Sequence, residues 1–217
     1  MHTVAAAIFI SVLLFAAASG QFVNDWDRPF TIQCRHGYVL KSVYSEHSNH
    51  KEDRRWAFRC SRAPNGAFPT RCYWTGYVNY WDAVMNFVCN RDYVIAGVHS
   101  VHDNHREDRR FRFKCCSHPG FRTHSCTLTP YINRWDLPLS YVAPSGQVFA
   151  GWASVHSNHR EDRLFQFFVC FYARWTGTLL SRLRTPPLAP WPDGGPDIIL
   201  LWTGYIPKPN QTSTPQK

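Results

Sequence analysis

No Gly-x-Ser-x-Gly, no His-Glu-x-x-His and no phosphate-cradling glycine loop occurs in this 217-residue chain. Nucleophile-elbow hydrolases, zincins and P-loop proteins therefore have no sequence basis here. Helical periodicity is absent as well, which argues against a helical domain. Beyond Gly20 no apolar run is long enough to cross a bilayer as a helix. Acidic side chains are scarce: 15 Asp and Glu stand against 24 Lys and Arg, for a formal charge of +9.

The N-terminus carries the apolar run Val4 to Ala18, followed by Ser19 and Gly20. A run of this length before small residues reads as a secretory signal peptide over 1–20, with the mature chain starting near Gln21. Eight cysteines in an oxidising compartment then read as four disulfides, and a zinc or redox role recedes. Aromatics make up 16% of the residues, and Gly and Pro punctuate the chain, a composition that leans to β structure. The charge is divided, with +6 on residues 21–173 and +3 on residues 174–217. A basic extracellular protein meets sulfated glycans, anionic cell surfaces and acidic matrix proteins; secretion makes nucleic acid a poor partner.

Self-comparison carries the most information. His47-Ser-Asn49-His50, His102-Asp-Asn104-His105 and His156-Ser-Asn158-His159 are each followed by a basic residue and then Glu-Asp-Arg. Trp-Asp pairs at Trp26-Asp27, Trp81-Asp82 and Trp135-Asp136 recur at the same rhythm, their two intervals differing by a single position. A repeat of about 55 residues cannot bury its own apolar face, so its copies pack on one another. Each copy reads as a strand, a polar turn and a second strand. The expected fold is all-β: three repeats in one disulfide-stapled, pseudo-threefold domain over 21–173. Residues 174–217, with eight of the fifteen prolines and the single glycosylation sequon at Asn210, read as a mostly disordered tail.

Repeat spacing also proposes the cysteine pairs. Cys34–Cys60 and Cys89–Cys115 span equal intervals and would staple their own repeats. Repeat three has Ala143 at the first of these positions, so Cys170 takes Cys126, and Cys72–Cys116 remains. Eight cysteines allow on the order of a hundred connectivities, so it is the symmetry that selects this one.

On a strand of period two, Arg54 shares a face with Trp56 and Phe58, Arg109 with Phe111 and Phe113, and Arg163 with Phe165 and Phe167. One extra residue before Cys170 suggests a bulge. A guanidinium on an aromatic face needs a carboxylate. Asp27, Asp82 and Asp136 are the expected partners, with Glu52, Glu107 and Glu161 as alternatives. Another reading turns arginines outward to grip sulfate or carboxylate; Arg55 and Arg110 on the opposite face are candidates. The His-x-Asn-His segments, His47, Asn49, His50, His102, Asn104, His105, His156, Asn158 and His159, read as polar turns whose Asn tolerates positive φ. Gathered at one end of the domain they would form a rim for a glycan, responsive to pH near the histidine range. No metal and no cofactor is expected. A metal-dependent binding protein or enzyme built on these turns is the alternative.

The segments Asp53-Arg-Arg-Trp-Ala-Phe-Arg-Cys60 and Asp108-Arg-Arg-Phe-Arg-Phe-Lys-Cys-Cys116 resemble the dermatopontin family, as does the Asp162–Cys170 segment. The His-Ser-Asn-His-x-Glu-Asp-Arg wording is similar to members described as haemagglutinin or amebocyte aggregation factors. The resemblance covers about residues 22–172. It implies a non-enzymatic extracellular protein of adhesion, aggregation or collagen-fibril organisation. Implied partners are cell-surface glycans, glycosaminoglycans and proteoglycans, or matrix proteins, with self-association as a further expectation. The Tyr-rich acidic N-terminal stretch of vertebrate members is missing, and so is their additional C-terminal cysteine pair.

Overall fold

A computed structural model describes residues 21–176. The signal-peptide assignment, the tail over 177–217 and Asn210 lie outside the described residues. Eleven strands and a single 3₁₀ turn, Pro64–Gly66, make up the described chain, which is all-β. The strands are β1 (Phe30–Gln33), β2 (Tyr38–Ser48), β3 (Asp53–Arg62), β4 (Arg71–Trp74), β5 (Met85–Val88) and β6 (Val94–Asp103). They continue with β7 (Asp108–Ser117), β8 (Phe121–Leu128), β9 (Leu139–Val142), β10 (Gln147–Ser157) and β11 (Asp162–Arg174).

Three long antiparallel hairpins, β2–β3, β6–β7 and β10–β11, are the centres of three sheets. Their strand orders are β3-β2-β9, β1-β6-β7-β4 and β5-β10-β11-β8. Each hairpin borrows a short strand from another repeat: β1 pairs with β6, β5 with β10, and β9 returns to β2. The exchange closes the chain on itself, because the last repeat completes the sheet of the first. Every long hairpin also skips one residue on its first strand, at Lys41, Ala96 and Ala150. Next to the third of these bulges only glycine fits, since a Cβ on Gly151 would lie 2.2 Å from the Phe87 carbonyl oxygen of β5.

The hairpins meet through their aromatic faces. Trp56 of β3, Phe111 of β7 and Phe165 of β11 are buried and touch in a triangle, with ring centroids 5.8, 6.1 and 5.2 Å apart. Trp152 adds a fourth ring, 5.8 Å from Trp56. One ring from each hairpin thus forms a common core that no hairpin could assemble alone.

Disulfides join Cys34–Cys60 and Cys89–Cys115 at a sequence separation of 26, and Cys72–Cys116 and Cys126–Cys170 at 44. The second pair of separations corrects the repeat alignment. Cys170 is the counterpart of Cys116, and Val169 holds the position of Cys115. Repeat three therefore has no extra residue before Cys170; the bulged residue is Ala150, on the partner strand, as in the other repeats. Opposite β8 a second irregularity lies between Val169 and Phe171.

Phe111→Ala is expected to cost about 3–5 kcal/mol, as for other large buried aromatics. Equilibrium denaturation should remain a single transition, because the lost ring touches the other two repeats. Separate unfolding of one hairpin would contradict a shared core.

Candidate functional site

In the three hairpin registers His47 stands opposite Arg54, His102 opposite Arg109 and His156 opposite Arg163. Directly opposed residues of an antiparallel pair point to one side. Each hairpin end therefore delivers an imidazole and a guanidinium together, and all three sets line one cavity of about 20 Å³. That space has room for about one water molecule. Glu52, Glu107, Glu161, Asp53, Asp108 and Asp162 complete its wall.

The arginines reach across repeats. Arg54 donates from Nε and Nη2 to Asp162 at 2.6 and 2.8 Å, Arg109 to Asp53 at 2.6 and 2.7 Å, and Arg163 to Asp108 at 2.6 and 2.7 Å. All six side chains are buried, at 3–4% residual exposure. Each Nη2 also donates to a backbone carbonyl, of Leu137, Arg28 or Ala83. The result is a cycle of three bidentate, charge-assisted pairs, in which each repeat gives its arginine to one neighbour and its aspartate to the other.

Asp27, Asp82 and Asp136 are not the partners of these arginines. Their residues sit at positive φ, 60°, 60° and 63°, and contribute backbone N–H groups to Asp53, Asp108 and Asp162 at 2.8–2.9 Å. Their carboxylates face the turn cations instead: Arg106 reaches Asp82 at 3.0 Å, Arg160 reaches Asp136 at 2.9 Å, and Lys51 lies 4.0 Å from Asp27. The preceding asparagines have a role that sequence reasoning missed. Asn24, Asn79 and Asn133 donate to the carbonyls of Arg54, Arg109 and Arg163 and accept from the N–H of Trp56, Phe111 and Phe165, at 2.9–3.1 Å. The recurrence of Asn two residues before Trp was the available signal.

Each His-x-Asn-His segment is split by the strand end. The first histidine is on the strand and its ring is 1% exposed; the second, His50, His105 or His159, is exposed in the turn with Asn49, Asn104 or Asn158. A continuous solvent-facing rim of six imidazoles does not form. The positive φ of each turn falls on Glu52, Glu107 and Glu161, at 47°, 42° and 44°, rather than on the asparagines. Asn104 and Asn158 instead meet His102 and His156 through the ring Nδ1 at 3.1 Å.

The buried imidazoles stand among carboxylates. His102 Nε2 lies 3.8 Å from Asp53 and 3.6 Å from Glu107, and His156 Nε2 lies 3.8 Å from Asp108 and 3.7 Å from Glu161. His47 Nδ1 is 3.4 Å from Asp162. Ligand atoms of Asp27, Asp53 and His102 lie within 4.8 Å of one another, as do those of Asp82, Asp108 and His156. A cation there would compete with a guanidinium already bound to both oxygens of the central aspartate. Burial lowers the His47 pKa below its ordinary 6.5, against the pull of Asp162. Burial likewise raises the Glu107 and Glu161 carboxyls above their ordinary 4.5.

Arg55 and Arg110, on the opposite strand face, lie over aromatic rings. Arg55 is 4.2 Å from the Phe22 centroid and 4.6 Å from that of Trp26, and pairs with Glu46 at 3.4 Å. Arg110 is 3.9 Å from Tyr77 and 5.2 Å from Trp81. Among the described residues it forms no ion pair. Arg112 lies 5.8 Å from the same Tyr77 ring, and with Thr31, Trp74 and His99 it lines a cavity of about 230 Å³.

Two measurements test the buried cluster. Arg109→Met should cost about 3–5 kcal/mol, since it strands Asp53 without its partner; adding Asp53→Leu should recover part of that loss. Additive losses in the double variant would mean that the two groups are not coupled. The second is pH. Unfolded, His47 binds a proton near pH 6.5 that the folded chain resists, so its contribution falls as pH drops through that value. Glu107 and Glu161 act oppositely: the folded chain keeps their protons to higher pH, and their ionisation costs stability as pH rises above 4.5. Glu107→Gln with Glu161→Gln should therefore raise the unfolding midpoint at about pH 7, with the gain gone by about pH 4.

The dermatopontin family model matches residues 24–173. The chain is 44% identical over 165 residues to the hemagglutinin/amebocyte aggregation factor of Limulus polyphemus, covering 75% of this chain and 92% of that protein. It is 38% identical over 148 residues to Millepora cytotoxin-1 of Millepora dichotoma, covering 68% of this chain and 65% of that protein. Dermatopontin of Biomphalaria glabrata is 34% identical over 149 residues, covering 69% of this chain and 99% of that protein. No solved structure gives a significant match. The family match spans all three hairpins and the ion-pair cycle that joins them, and the chain belongs to the dermatopontin family.

Proposed function

We propose that this chain is a secreted, non-enzymatic adhesion or aggregation protein that engages acidic glycans, proteoglycans or cell surfaces. The carrying observation is the Arg110 face. There a guanidinium with no carboxylate partner among the described residues lies over Tyr77 and near Trp81, with Arg112, Trp74 and His99 close by. An aromatic platform stacks on the apolar face of a sugar, while fixed guanidiniums receive its sulfate or carboxylate in fork geometry.

The relatives support this reading in their names, one an aggregation factor and others dermatopontins. Four disulfides suit an oxidising compartment, and no helix among the described residues is long and apolar enough to cross a membrane. Three like hairpins in a pseudo-threefold arrangement would present related but unequal surfaces, since Leu164 stands where Arg55 and Arg110 stand in the other repeats. Multivalency of this kind raises avidity without new contacts. In this reading the axial His–Glu–Asp–Arg cluster holds the scaffold rather than the ligand.

An array of sialylated, sulfated and neutral glycans with glycosaminoglycans, probed with the full chain, is the direct test. Binding to acidic members is expected, weakening as salt rises. Arg110→Gln with Arg112→Gln should reduce it about tenfold or more. Agglutination of cells should follow the same order and should survive a chelator. An array without any acidic ligand would overturn the proposal, and chelator-sensitive binding would move it to the His–Asp groups.

A further inference from the structure

At the far end of the first hairpin from the ion-pair cycle lies a larger cleft, of about 730 Å³. It is lined by Arg35, His36, Gly37, Tyr38, Arg62 and Phe68, together with three further small residues. Clefts of roughly 300–1,000 Å³ accommodate small ligands. Arg35 and Arg62 both donate to the phenol oxygen of Tyr38, Arg62 from Nε at 3.4 Å. Arg35 also lies over the Tyr38 ring, 4.0 Å from its centroid. Among the described residues neither guanidinium has an ion-pair partner. Two positive charges thus share one neutral oxygen, and the two hydrogen bonds hold the Tyr38 pKa below its ordinary value.

The arrangement is built into the fold. Arg35 follows Cys34 directly and Arg62 is two residues beyond Cys60, so the Cys34–Cys60 disulfide sets the separation of the two arginines. Tyr38 pairs with Arg62 in the β2–β3 register. Opposite them stands Phe68, 55% exposed, with its ring against Gly37. A Cβ on Gly37 would lie 2.3 Å from that ring, and the residue is at φ 77°, so glycine is needed twice over. The other repeats lack the cleft chemistry. Asn90 and Ser117 replace the two arginines in repeat two, Pro144 and Phe171 in repeat three. Where repeat one has Gly37, repeat two has Asp92, which neutralises Arg122 at 2.5 Å.

We propose that this cleft is an oxyanion site for a sulfate ester or carboxylate carried on a sugar ring, with Arg35 and Arg62 receiving the anion and Phe68 stacking on the ring. The sugar part of this assignment rests on the glycan reading above; the oxyanion part does not. Preset guanidiniums lose little freedom when an anion binds, and each can offer two N–H groups in a plane.

Titration calorimetry of the full chain with a trisulfated heparin disaccharide, with 3′-sialyllactose and with lactose tests the assignment. Binding of one or both acidic sugars and none of lactose is expected, and the acidic sugar that binds identifies the anion. Arg35→Gln with Arg62→Gln should weaken binding at least tenfold; both residues are exposed, so the fold should tolerate the change. Arg35→Lys with Arg62→Lys should fall between, since charge remains without the planar fork. Arg134→Gln, at an exposed arginine outside both sites, should leave the affinity within twofold. Equal binding by the Gln variant, or equal binding of lactose, overturns the site. Disaccharide binding lost with the cleft arginines, in a chain that fails to agglutinate cells, would uphold the site and sink the adhesion reading.

Discussion

Asp53, Asp108 and Asp162 each hold an arginine from a different repeat, and most of the architecture follows from that exchange. A guanidinium buried this deeply is costly unless both oxygens of a carboxylate face it. In this chain they do so only when the three hairpins stand side by side. The pairs therefore specify the register of one repeat on the next, while the Trp56–Phe111–Phe165 triangle beneath them supplies the apolar contact. Short strands exchanged between repeats, such as β9 on β2, fasten the same order from outside.

The cycle also determines what the histidines and glutamates of the motif can do. With arginine and aspartate neutralising each other, three glutamates are left around a space the size of a water molecule, beside three imidazoles. Protonation of His47 costs stability below its ordinary 6.5 and ionisation of Glu107 and Glu161 costs stability above their ordinary 4.5, so between those values the two penalties overlap. A group arranged in this way is suited to holding subunits of a fold together and poorly suited to exchanging ligands with solvent. In the proposed reading, recognition is left to the arginines outside the cluster, which differ from repeat to repeat.

Much of this was legible in the sequence because the repeats are in register. Equal spacing of cysteines pointed to the disulfides, and alternation along Asp53–Cys60 put Arg54 on the aromatic side. The partner of that arginine was not legible. Asp53 is adjacent to Arg54 and so cannot meet it from the same strand; it meets Arg109 because the hairpins are turned relative to one another, and no spacing within one repeat encodes that turn. The alignment of Cys170 failed for a related reason. A missing cysteine at Val169 looks like an inserted residue until the two bridges of separation 44 are compared. The cleft at Arg35 and Arg62 was not legible either, because it belongs to one repeat alone.

The sheets are also unequal. β4 covers the outer side of β7 and β8 that of β11, whereas β3 is itself the outermost strand of its sheet. A ten-residue strand at an edge is a template on which a second chain can build, the usual beginning of fibrous growth. Here Arg62, at the end of that strand, has no ion-pair partner among the described residues, so two copies approaching edge to edge would bring like charges together. The guanidinium proposed to receive an anionic guest would at the same time be a barrier to uncontrolled polymerisation of the protein with itself.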